Sequence, residues 1–596
     1  MKKLLSILLI ISLVCIMFTG CSNDNSSSTV STDSTSTPDN ATPAKTDFTL
    51  TDDDMFTKRD SNTDYDKKKS VTIKLKGNTA TASSDSVQIV NSTITITEEA
   101  TYIISGTLND GMIVVDAPDT AKLQLILNGV DITSKTSAAL YIIEADKVFV
   151  TLAKDKSNTL SNGGNFTAID NNNIDAAVFS KQDLTFNGLG SLTVNSPAGH
   201  GVVCKDDLVF TGGTYEIGSA SHGLDANDSV RITGKTNLNI DAGKDGIHCE
   251  NSDDISLGFI YTSGGTINVE AEGDGISAGY YMQIEDGTFN LLSGGGSVNG
   301  TKSSSDNFGG FKGGKRPGEP PSDTTTEENS TSMKGIKSSN SMMIRGGSFS
   351  INSADDSIHS DISITIEGGN YKIASGDDAV HAEELLTITD GTLNITESYE
   401  GLEALTININ GGDIKLVASD DGLNAAGGTD SSGSTGGRDG MFDKRGGKGG
   451  GPSQTNGSII ISAGKLYVNA SGDGLDSNGS LNITGGNITV VGPSHGDTST
   501  LDYETSATIS GGTFIGTGAT SMAQTFSETH QGILAVSTPE QAANTSITLT
   551  DKDGNIVIHH KPELSFSAVI LSSPKIITGQ TYTIKIGSTS SDFVAS

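Results

Sequence analysis

Acidic residues recur in this sequence within one short pattern, in which an acid precedes a small residue, an apolar residue and a second polar residue. Asp473 opens the copy "DGLDS" and Asp378 opens the copy "DAVHA". Carboxylate oxygens are the ligands that calcium prefers, so a regular array of them could bind metal ions. The pattern opens at His200, His222, Asp245, Asp274, Asp356, Asp378, Glu400, Asp421, Asp473 and His495.

The copies recur about every 22 residues, except where longer segments separate them. Between them lie alternating runs such as "LNITGGNITVVG", which predict strands with one buried face. This period predicts an all-β fold, a parallel β-helix with about 22 residues per coil. We expect the glycine of each copy to turn the backbone with a positive φ. The opening acid and the residue three later, such as Asp473 and Asp476, would then face outward.

Stacked coils would place the acids in a carboxylate ladder about 4.8 Å apart along one edge. Like charges at that distance repel unless cations neutralise them, so the ladder predicts calcium as the cofactor. Asp and Asn also favour turns, which leaves a purely structural role open. His248, His359 and His381 occupy the second outward position, where stacked rings are favoured over a zinc site. The candidate metal ligands are Asp245, Asp274, Asp355, Asp356, Asp377, Asp378, Glu400, Asp421, Asp473 and Asp476.

One copy, "KGIKS", carries lysines where the others carry acids. Lys334 and Lys337 are therefore candidate ligand-binding residues and weak candidates for a catalytic base. With calcium, such a base could cleave uronic acid polymers by β-elimination. The alternative is that each lysine forms a surface ion pair that relieves repulsion between neighbouring acids.

The first 47 residues predict export rather than part of the fold. Residues 1–20 have the pattern of a lipoprotein signal peptide, with Cys21 as the lipidated residue. Residues 21–47 are rich in Ser and Thr and predict a disordered tether. The sequence thus predicts an extracellular protein, anchored to the cell membrane through its lipid.

The remaining chain divides by composition. Residues 48–520 predict the β-helix domain, with disordered insertions near 296–333 and 427–456, and residues 521–596 predict a small C-terminal β cap. The net charge of −34 argues against nucleic acid as a partner, and we expect a monomer. Cys204 and Cys249 lie two coils apart, too far for a disulfide, and predict buried thiols.

The segment at residues 100–164, which begins "ATYIISGTLNDGMIVV", resembles the entry segment of a clostridial family of carbohydrate-binding domains. "SHGLDAND", "GKDGIHCE" and the closing "TYTIKIG" are similar to the same family. The resemblance implies a right-handed parallel β-helix like that of calcium-dependent pectate lyases. It also implies binding of cellulose and acidic sugars, with calcium bound along the helix. By position, the implied metal ligands are Asp245, Asp274, Asp356, Asp378, Glu400, Asp421 and Asp473.

The chain contains no Trp, although aromatic platforms usually bind neutral glycans. Tyr399 adjoins the acids and is a candidate ligand-binding residue. Calcium could bridge an acidic protein to an acidic polysaccharide without aromatic contacts. The sequence therefore favours a non-catalytic, calcium-dependent polysaccharide-binding protein that prefers polygalacturonate-like sugars to cellulose. The alternatives are a calcium-dependent lyase and a structural or adhesive stalk at the cell surface.

Overall fold

The computed structural model describes residues 49–302, 332–426, 456–494, 496 and 498–596. The predicted signal peptide, Cys21, the tether, His495 and most of both predicted insertions lie outside the described residues. Within the described ranges, helices are short, and none is apolar and long enough to cross a membrane.

The described chain is all-β apart from helix α1 (Asp52–Met55) and one 3-10 helix (Ser297–Asn299). The strands before residue 303 are β1 (Val71–Gly77), β2 (Ala80–Ala82), β3 (Val87–Val90), β4 (Thr93–Ile96), β5 (Thr101–Leu108), β6 (Met112–Asp116), β7 (Lys122–Ser134), β8 (Leu140–Glu144), β9 (Lys147–Leu152), β10 (Ser157–Asn162), β11 (Ala176–Ser180), β12 (Asp183–Gly188), β13 (Ser191–Ser196), β14 (His200–Cys204), β15 (Asp207–Ser219), β16 (Leu224–Ala226), β17 (Ser229–Ala242), β18 (Ile247–Cys249), β19 (Phe259–Ala271), β20 (Ile276–Ala278) and β21 (Met282–Ser293).

The second described range holds β22 (Ile336–Ser338), β23 (Ser341–Ile344), β24 (Ser348–Ser353), β25 (Ile358–Ser360), β26 (Ser363–Ile366), β27 (Asn370–Ser375), β28 (Val380–Ile388), β29 (Thr392–Glu397), β30 (Leu402–Ile409), β31 (Asp413–Ala418) and β32 (Leu423–Ala425). The strands after residue 455 are β33 (Ser458–Ile461), β34 (Lys465–Ala470), β35 (Leu475–Ser477), β36 (Ser480–Ile483), β37 (Asn487–Val491), β38 (Leu501–Tyr503), β39 (Ser506–Ile509), β40 (Thr513–Gly518), β41 (Glu528–Thr529), β42 (Ile533–Gln541), β43 (Ile547–Thr550), β44 (Ile556–His560), β45 (Phe566–Ser572), β46 (Thr581–Ile586) and β47 (Thr589–Val594).

Strand β24 shows why these segments form strands. Its residues alternate between exposed and buried, with Phe349 and Ile351 buried and Ser350 exposed. That alternation matches the period of two of an extended chain, so the apolar side chains enter one interior and the polar ones face water. The interior is continuous along the chain, because like residues of successive strands lie in register: Ile276 pairs with Ile336, and Ile336 with Ile358.

Among the described residues, forty-three strands form one sheet. The pairing of these strands shows that the predicted right-handed parallel β-helix is wrong. Strand β7 pairs in parallel with both β9 and β10. The pairing continues from β9 to β12 and β15, and from β10 to β13 and back to β15. These six parallel strands therefore form a closed barrel-like ring, and the other strands extend the sheet from it.

Long strands are the physical reason for this closure. A parallel β-helix of about 22 residues per coil needs three short strands that belong to separate sheets. Here β7, β15 and β19 are 13 residues long and β17 is 14, so one strand pairs on two faces. The first strands add antiparallel pairs, β1 with β2 and β3 with β4. We call one passage of the chain, from a strand to its parallel partner further along, a layer.

The C-terminal strands end the parallel pairing. β45 lies antiparallel to both β40 and β42, which covers the last edge of the large sheet. Four further strands form a separate antiparallel sheet in the order β44-β43-β46-β47. Covered edges cannot pair with another chain, which protects a long sheet from edge-to-edge association.

Buried side chains stack from layer to layer inside the sheet. The rings of Phe289, Phe349 and Tyr371 stack with centroids 4.8 and 4.6 Å apart. Cys204 and Cys249 are buried free thiols, as predicted, and Ala226 lies between them in register.

Candidate metal centre

The described residues that open the sequence pattern lie one above another beside the short strands, and Ser499 follows Asp473 in the same line. We call this line the turn column. For every described acid of the column except Glu400, one carboxylate oxygen accepts a hydrogen bond from the backbone N–H of the next residue in the column. The N–H of Asp274 lies 2.8 Å from Asp245 Oδ1, and that of Asp378 lies 3.1 Å from Asp356 Oδ1. The same bond joins Lys334 to Asp274, Glu400 to Asp378, Asp473 to Asp421, and Ser499 to Asp473.

The small residue after each acid was expected to allow a turn with positive φ, but the structure gives it a different role. The φ angle of Gly474 is not among the positive values, so the predicted left-handed turn is wrong at this position. A Cβ on Gly474 would instead lie 2.3 Å from Val490 Cγ1 and 2.6 Å from the carbonyl oxygen of Thr500. The glycine therefore permits close stacking of layers, and Ser357 and Ala379 occupy the same place in two other copies.

The residues three positions after the turn column form a second line, which we call the strand column. Each member pairs in register with the next, as His359 does with His381 and Asp476 with Asp502. In chain order, the strand column consists of Asp225, His248, Ser277, Lys337, His359, His381, Glu403, Asn424, Asp476 and Asp502.

Several acids of the turn column are buried, so the expectation of outward-facing carboxylates is wrong for them. Asp356 is 0% exposed and Asp378 is 1% exposed. Each carboxylate is covered by the layers on either side and by neighbouring side chains, such as Lys302, whose Nζ lies 3.0 Å from Asp377 Oδ1. Only the copies at Asp245, Asp421 and Asp473 remain partly exposed among the column's described acids.

The middle of the turn column contains its own cations. Lys334 Nζ lies 2.7 Å from Asp356 Oδ2 and 3.4 Å from Asp355 Oδ1. His359 Nδ1 lies 2.9 Å from the same Asp356 oxygen. Burial alone would raise the pKa of Asp356, but Lys334 and His359 outweigh it and hold that pKa well below its usual value. The protein's own side chains therefore neutralise this part of the column.

His381 has the same function one layer further along. Its Nδ1 lies 3.1 Å from Glu403 Oε2 and 3.3 Å from Asp378 Oδ2. Burial opposes the charged imidazole, but Glu403 and Asp378 raise the pKa of His381 well above its usual value. A protonated His381 thus shares its charge between two buried acids.

The histidines also stack, as the sequence favoured. The ring centroids of His200 and His222 lie 5.1 Å apart, and those of His222 and His248 lie 4.5 Å apart. The rings of His359 and His381 are 5.0 Å apart but tilted by 47°. His222, Asp245 and His248 also offer ligand atoms within 4.8 Å of one another, so the zinc alternative stays a prediction.

Beyond Glu403, the described members of both columns include no basic residue. Asp421, Asp473, Asp476 and Asp502 lie together and are only partly buried, and we call them the open acidic cluster. Within the described parts of the chain, no Lys, Arg or His forms an ion pair with any of these four carboxylates. Burial, with the charges of Asp502 and neighbouring acids, raises the pKa of both Asp473 and Asp476 to about 7. Burial, with the charges of Asp476, Asp473 and Asp420, raises the pKa of Asp421 well above its usual value.

Two oxygen atoms beside this cluster have no hydrogen-bond partner in the part of the chain that the structure describes. Glu400 Oε2 and Asn424 Oδ1 are buried, and neither finds a hydrogen bond among the described residues. An unpaired buried oxygen costs about 1–3 kcal/mol, so a group that satisfies it would stabilise the fold. The pairing of Asn424 with Asp476 brings one of these oxygens to the edge of the open acidic cluster.

The other candidates from the sequence are positioned as follows. Lys334 is 4% exposed and held by two carboxylates, so it can neither reach a polymer nor serve as a free base. Lys337 is partly exposed and lies 3.9 Å from Asp274 Oδ2. Tyr399 is half-buried below Lys302, and burial together with a hydrogen bond to Asp420 raises its pKa.

The sequence candidates omitted Asp502, Asn424 and Glu403. Asn424 and Glu403 follow Asp421 and Glu400 by three residues, so the fixed offset within each copy could have found them. Asp502 lies 26 residues after its partner Asp476 rather than about 22, and only the strand pairing shows that it belongs to the column.

Comparisons with known proteins give this fold a family. A family model described as "Carbohydrate-binding domain-containing protein" matches residues 90–379. A carbohydrate-binding domain-containing protein of Acetivibrio thermocellus is 36% identical over 213 residues, which cover 35% of this chain and 74% of that protein. The chain belongs to this family. Its turn column up to Asp378 lies inside the matched segment, whereas the open acidic cluster lies beyond it.

A solved structure is also similar to part of this carbohydrate-binding domain protein. It is described as the polysaccharide lyase-like protein from C. thermocellum, in a gadolinium derivative. That chain is 33% identical, and the alignment covers 38% of this chain and 92% of the other with a TM-score of 0.37.

Replacing Lys334 tests the buried ion pair. We expect Lys334→Met to lower the free energy of unfolding by about 3–5 kcal/mol, because Asp356 would remain buried without its main cation. Denaturant unfolding measures the change. The matched control is Lys337→Met, which should cost much less, since Lys337 is partly exposed and 3.9 Å from its acid. Equal losses in the two variants would contradict the assignment.

The open acidic cluster predicts a fall in stability with rising pH. The pKa values of Asp473 and Asp476, about 7 in the folded protein, exceed those of an unfolded chain. The folded state therefore binds more protons between about pH 4 and 7, and stability is lost as the pH rises through that window. Without metal, the thermal midpoint should be lower at pH 7.5 than at pH 5.

Asn at both positions should flatten this dependence, because the amide does not titrate. Asp553→Asn serves as the control, since the side chain of Asp553 is exposed in the loop between β43 and β44. A fall of the same size in the Asp473→Asn, Asp476→Asn double variant would show that other groups cause it.

Proposed function

We propose that the protein binds acidic polysaccharides in a calcium-dependent manner, with calcium at the open acidic cluster. One observation carries the proposal. In the layers of Lys334, His359 and His381, protein cations neutralise the carboxylates, but Asp421, Asp473, Asp476 and Asp502 have no such partner among the described residues. Four acids that share a site without a counter-ion repel one another, and an external cation would relieve that repulsion.

The available donor atoms suit calcium. The cluster offers carboxylate oxygens, and the amide oxygen of Asn424 lies beside it without a partner. Calcium takes six to eight oxygen ligands in flexible geometry, whereas zinc prefers nitrogen and sulfur. Asp421, Asp473, Asp476 and Asp502 would hold the ion, with Asn424 as a further ligand.

Partial exposure of the cluster supports an acidic ligand. A calcium ion held by half-buried carboxylates would keep some positions open to solvent, and a sugar carboxylate could fill them. This bridge explains how a protein of net charge −34 could bind a polyanion. Polygalacturonate-like chains are therefore favoured over cellulose, in agreement with the absence of Trp.

The cellular setting follows from the first 21 residues. We propose a lipoprotein attached through Cys21, which would hold the binding domain outside the cell as a monomer at the membrane surface. A lyase would need a base beside the calcium, and of the two lysine candidates only Lys337 is exposed enough to contact a polymer. The same experiment can therefore test binding and cleavage.

Calcium titration of the Asp476→Asn, Asp502→Asn double variant tests the metal site. Loss of two of four carboxylates should weaken calcium binding by about tenfold or more, since calcium affinity depends on the number of charged ligands. Isothermal titration calorimetry provides the measurement. Asp413→Asn is the control, because Asp413 is an exposed acid 3.1 Å from Lys465 and lies outside the cluster.

Titration with polygalacturonate then tests the ligand. Binding heat that increases with calcium, decreases with chelator and is reduced in the double variant would support calcium-dependent binding. Ultraviolet absorbance of the same mixture detects unsaturated uronate, and its appearance would make the protein a lyase. Equal heat with calcium and with chelator would refute the calcium bridge.

A further inference from the structure

A long groove crosses another face of the large sheet, away from both columns. It consists of two adjoining depressions of about 620 and 300 Å³. Asn290 and Ser350 line both depressions, so the two are continuous. The groove follows the stacking direction from Thr193 to Thr392, and a polymer would need such a length rather than a closed pocket.

Side-chain amides form the floor of the larger depression. Asn239 donates to Glu216 over 2.8 Å, Asn268 donates to Asn239 over 2.7 Å, and Asn290 donates to Asn268 over 2.7 Å. These bonds fix the orientation of each amide. Each amide nitrogen keeps a second N–H, and each oxygen keeps a second lone pair. The floor therefore presents alternating donors and acceptors at a regular spacing, as a chain of sugar hydroxyls requires.

The same line of residues becomes basic further along. Asn290 pairs in register with Ser350 and Ser350 with Lys372. The register then continues through Asn394 and Lys415 to Tyr467. We call Lys372, Asn394, Lys415 and Tyr467 the lysine column.

Lys372 and Lys415 are exposed, and neither forms an ion pair with an acid in the described part of the chain. Their neighbour Lys465 differs, because its Nζ lies 3.1 Å from Asp413. Lys415 Nζ lies 5.5 Å from the ring centroid of Tyr467, a contact that holds the ammonium group over this face. Two layers separate the lysines, which corresponds to about 9.6 Å.

We propose that the lysine column and the adjoining groove bind an extended carboxylated polysaccharide directly, without calcium. Lys372 and Lys415 pair with carboxylates of the chain, and Asn290 and Asn394 bond to its hydroxyl groups. Charge complementarity favours this occupant, because two lysines without an ion-pair partner among the described residues lie in line on a protein of net charge −34. The end of the groove away from the lysines is lined by acids, namely Glu216, Asp241 and Glu270. Their charges repel the sugar carboxylates, which therefore bind at the end with the lysines.

This inference rests on the proposed function for its class of ligand but places the polymer on a different face from the calcium. The two surfaces can therefore act separately. Calcium at the open acidic cluster would not touch a chain bound in the groove.

The test compares the full chain with a Lys372→Gln, Lys415→Gln double variant, titrated with polygalacturonate in chelator. Loss of two exposed charge pairs should weaken binding by about tenfold. Added salt should weaken binding of the parent protein more than that of the variant, because screening acts on the exposed pairs. Lys585→Gln removes an exposed lysine from the other sheet and should leave affinity unchanged. Fully methyl-esterified polygalacturonate, which has the same backbone without charge, should bind the parent more weakly than polygalacturonate.

The outcomes separate this inference from the calcium proposal. If the parent protein binds polygalacturonate in chelator and the Lys372→Gln, Lys415→Gln variant does not, the lysine column is supported. This holds even if the Asp476→Asn, Asp502→Asn variant shows that calcium has no effect on binding. Binding that requires calcium and is unchanged in the lysine variant overturns the lysine column and leaves the calcium bridge intact. Equal binding of the esterified and free polymers also overturns it, since the groove would then recognise a neutral chain. An unchanged thermal midpoint in the lysine variant verifies that its fold is intact.

Discussion

The hydrogen bond from one layer's backbone N–H to the carboxylate of the previous layer is the interaction on which the acidic columns depend. It uses one oxygen of each acid that accepts it, and it fixes that acid beside the short strand. Stacking then repeats the arrangement at about 4.8 Å, so every layer adds a charge close to the last. The second oxygen of each acid remains to be satisfied, and its partner determines what each part of the column can do.

The residues of the strand column determine whether the second carboxylate oxygen has a cationic partner. Where that column carries His359 and His381, and where the turn column carries Lys334, buried acids find cations within the protein. Where the strand column carries Asp476 and Asp502, no such cation is present among the described residues, and burial together with repulsion from Asp473 and Asp502 raises the pKa of Asp476 to about 7. One geometry thus produces a part that the protein's own cations neutralise and an acidic, partly exposed part, and the second part is where we propose that calcium binds.

The sequence predicted the strands, the inward apolar residues and the registration of the acids, because each depends on local alternation and a fixed spacing. It did not predict the closed ring of strands, which arises where strands as long as β17 pair on two faces. The burial of Asp356 was also missed, since a period reports which residues align but not what covers them. Asp502 was not predicted because its layer is longer than the others. Only the strand pairing shows that it lies in register with Asp476.

Register explains the second surface in the same way. Lys372 and Lys415 are 43 positions apart in the sequence, where nothing connects them, but strand pairing through Asn394 aligns them. In the open acidic cluster, alignment places like charges close together, so that they repel one another. On the groove side, it aligns two cations with a floor of amides. In a sheet that stacks equivalent residues, the side chain at one position of each layer therefore forms part of an extended surface. A polysaccharide is also a chain of equivalent units, so its repeat suits such a surface.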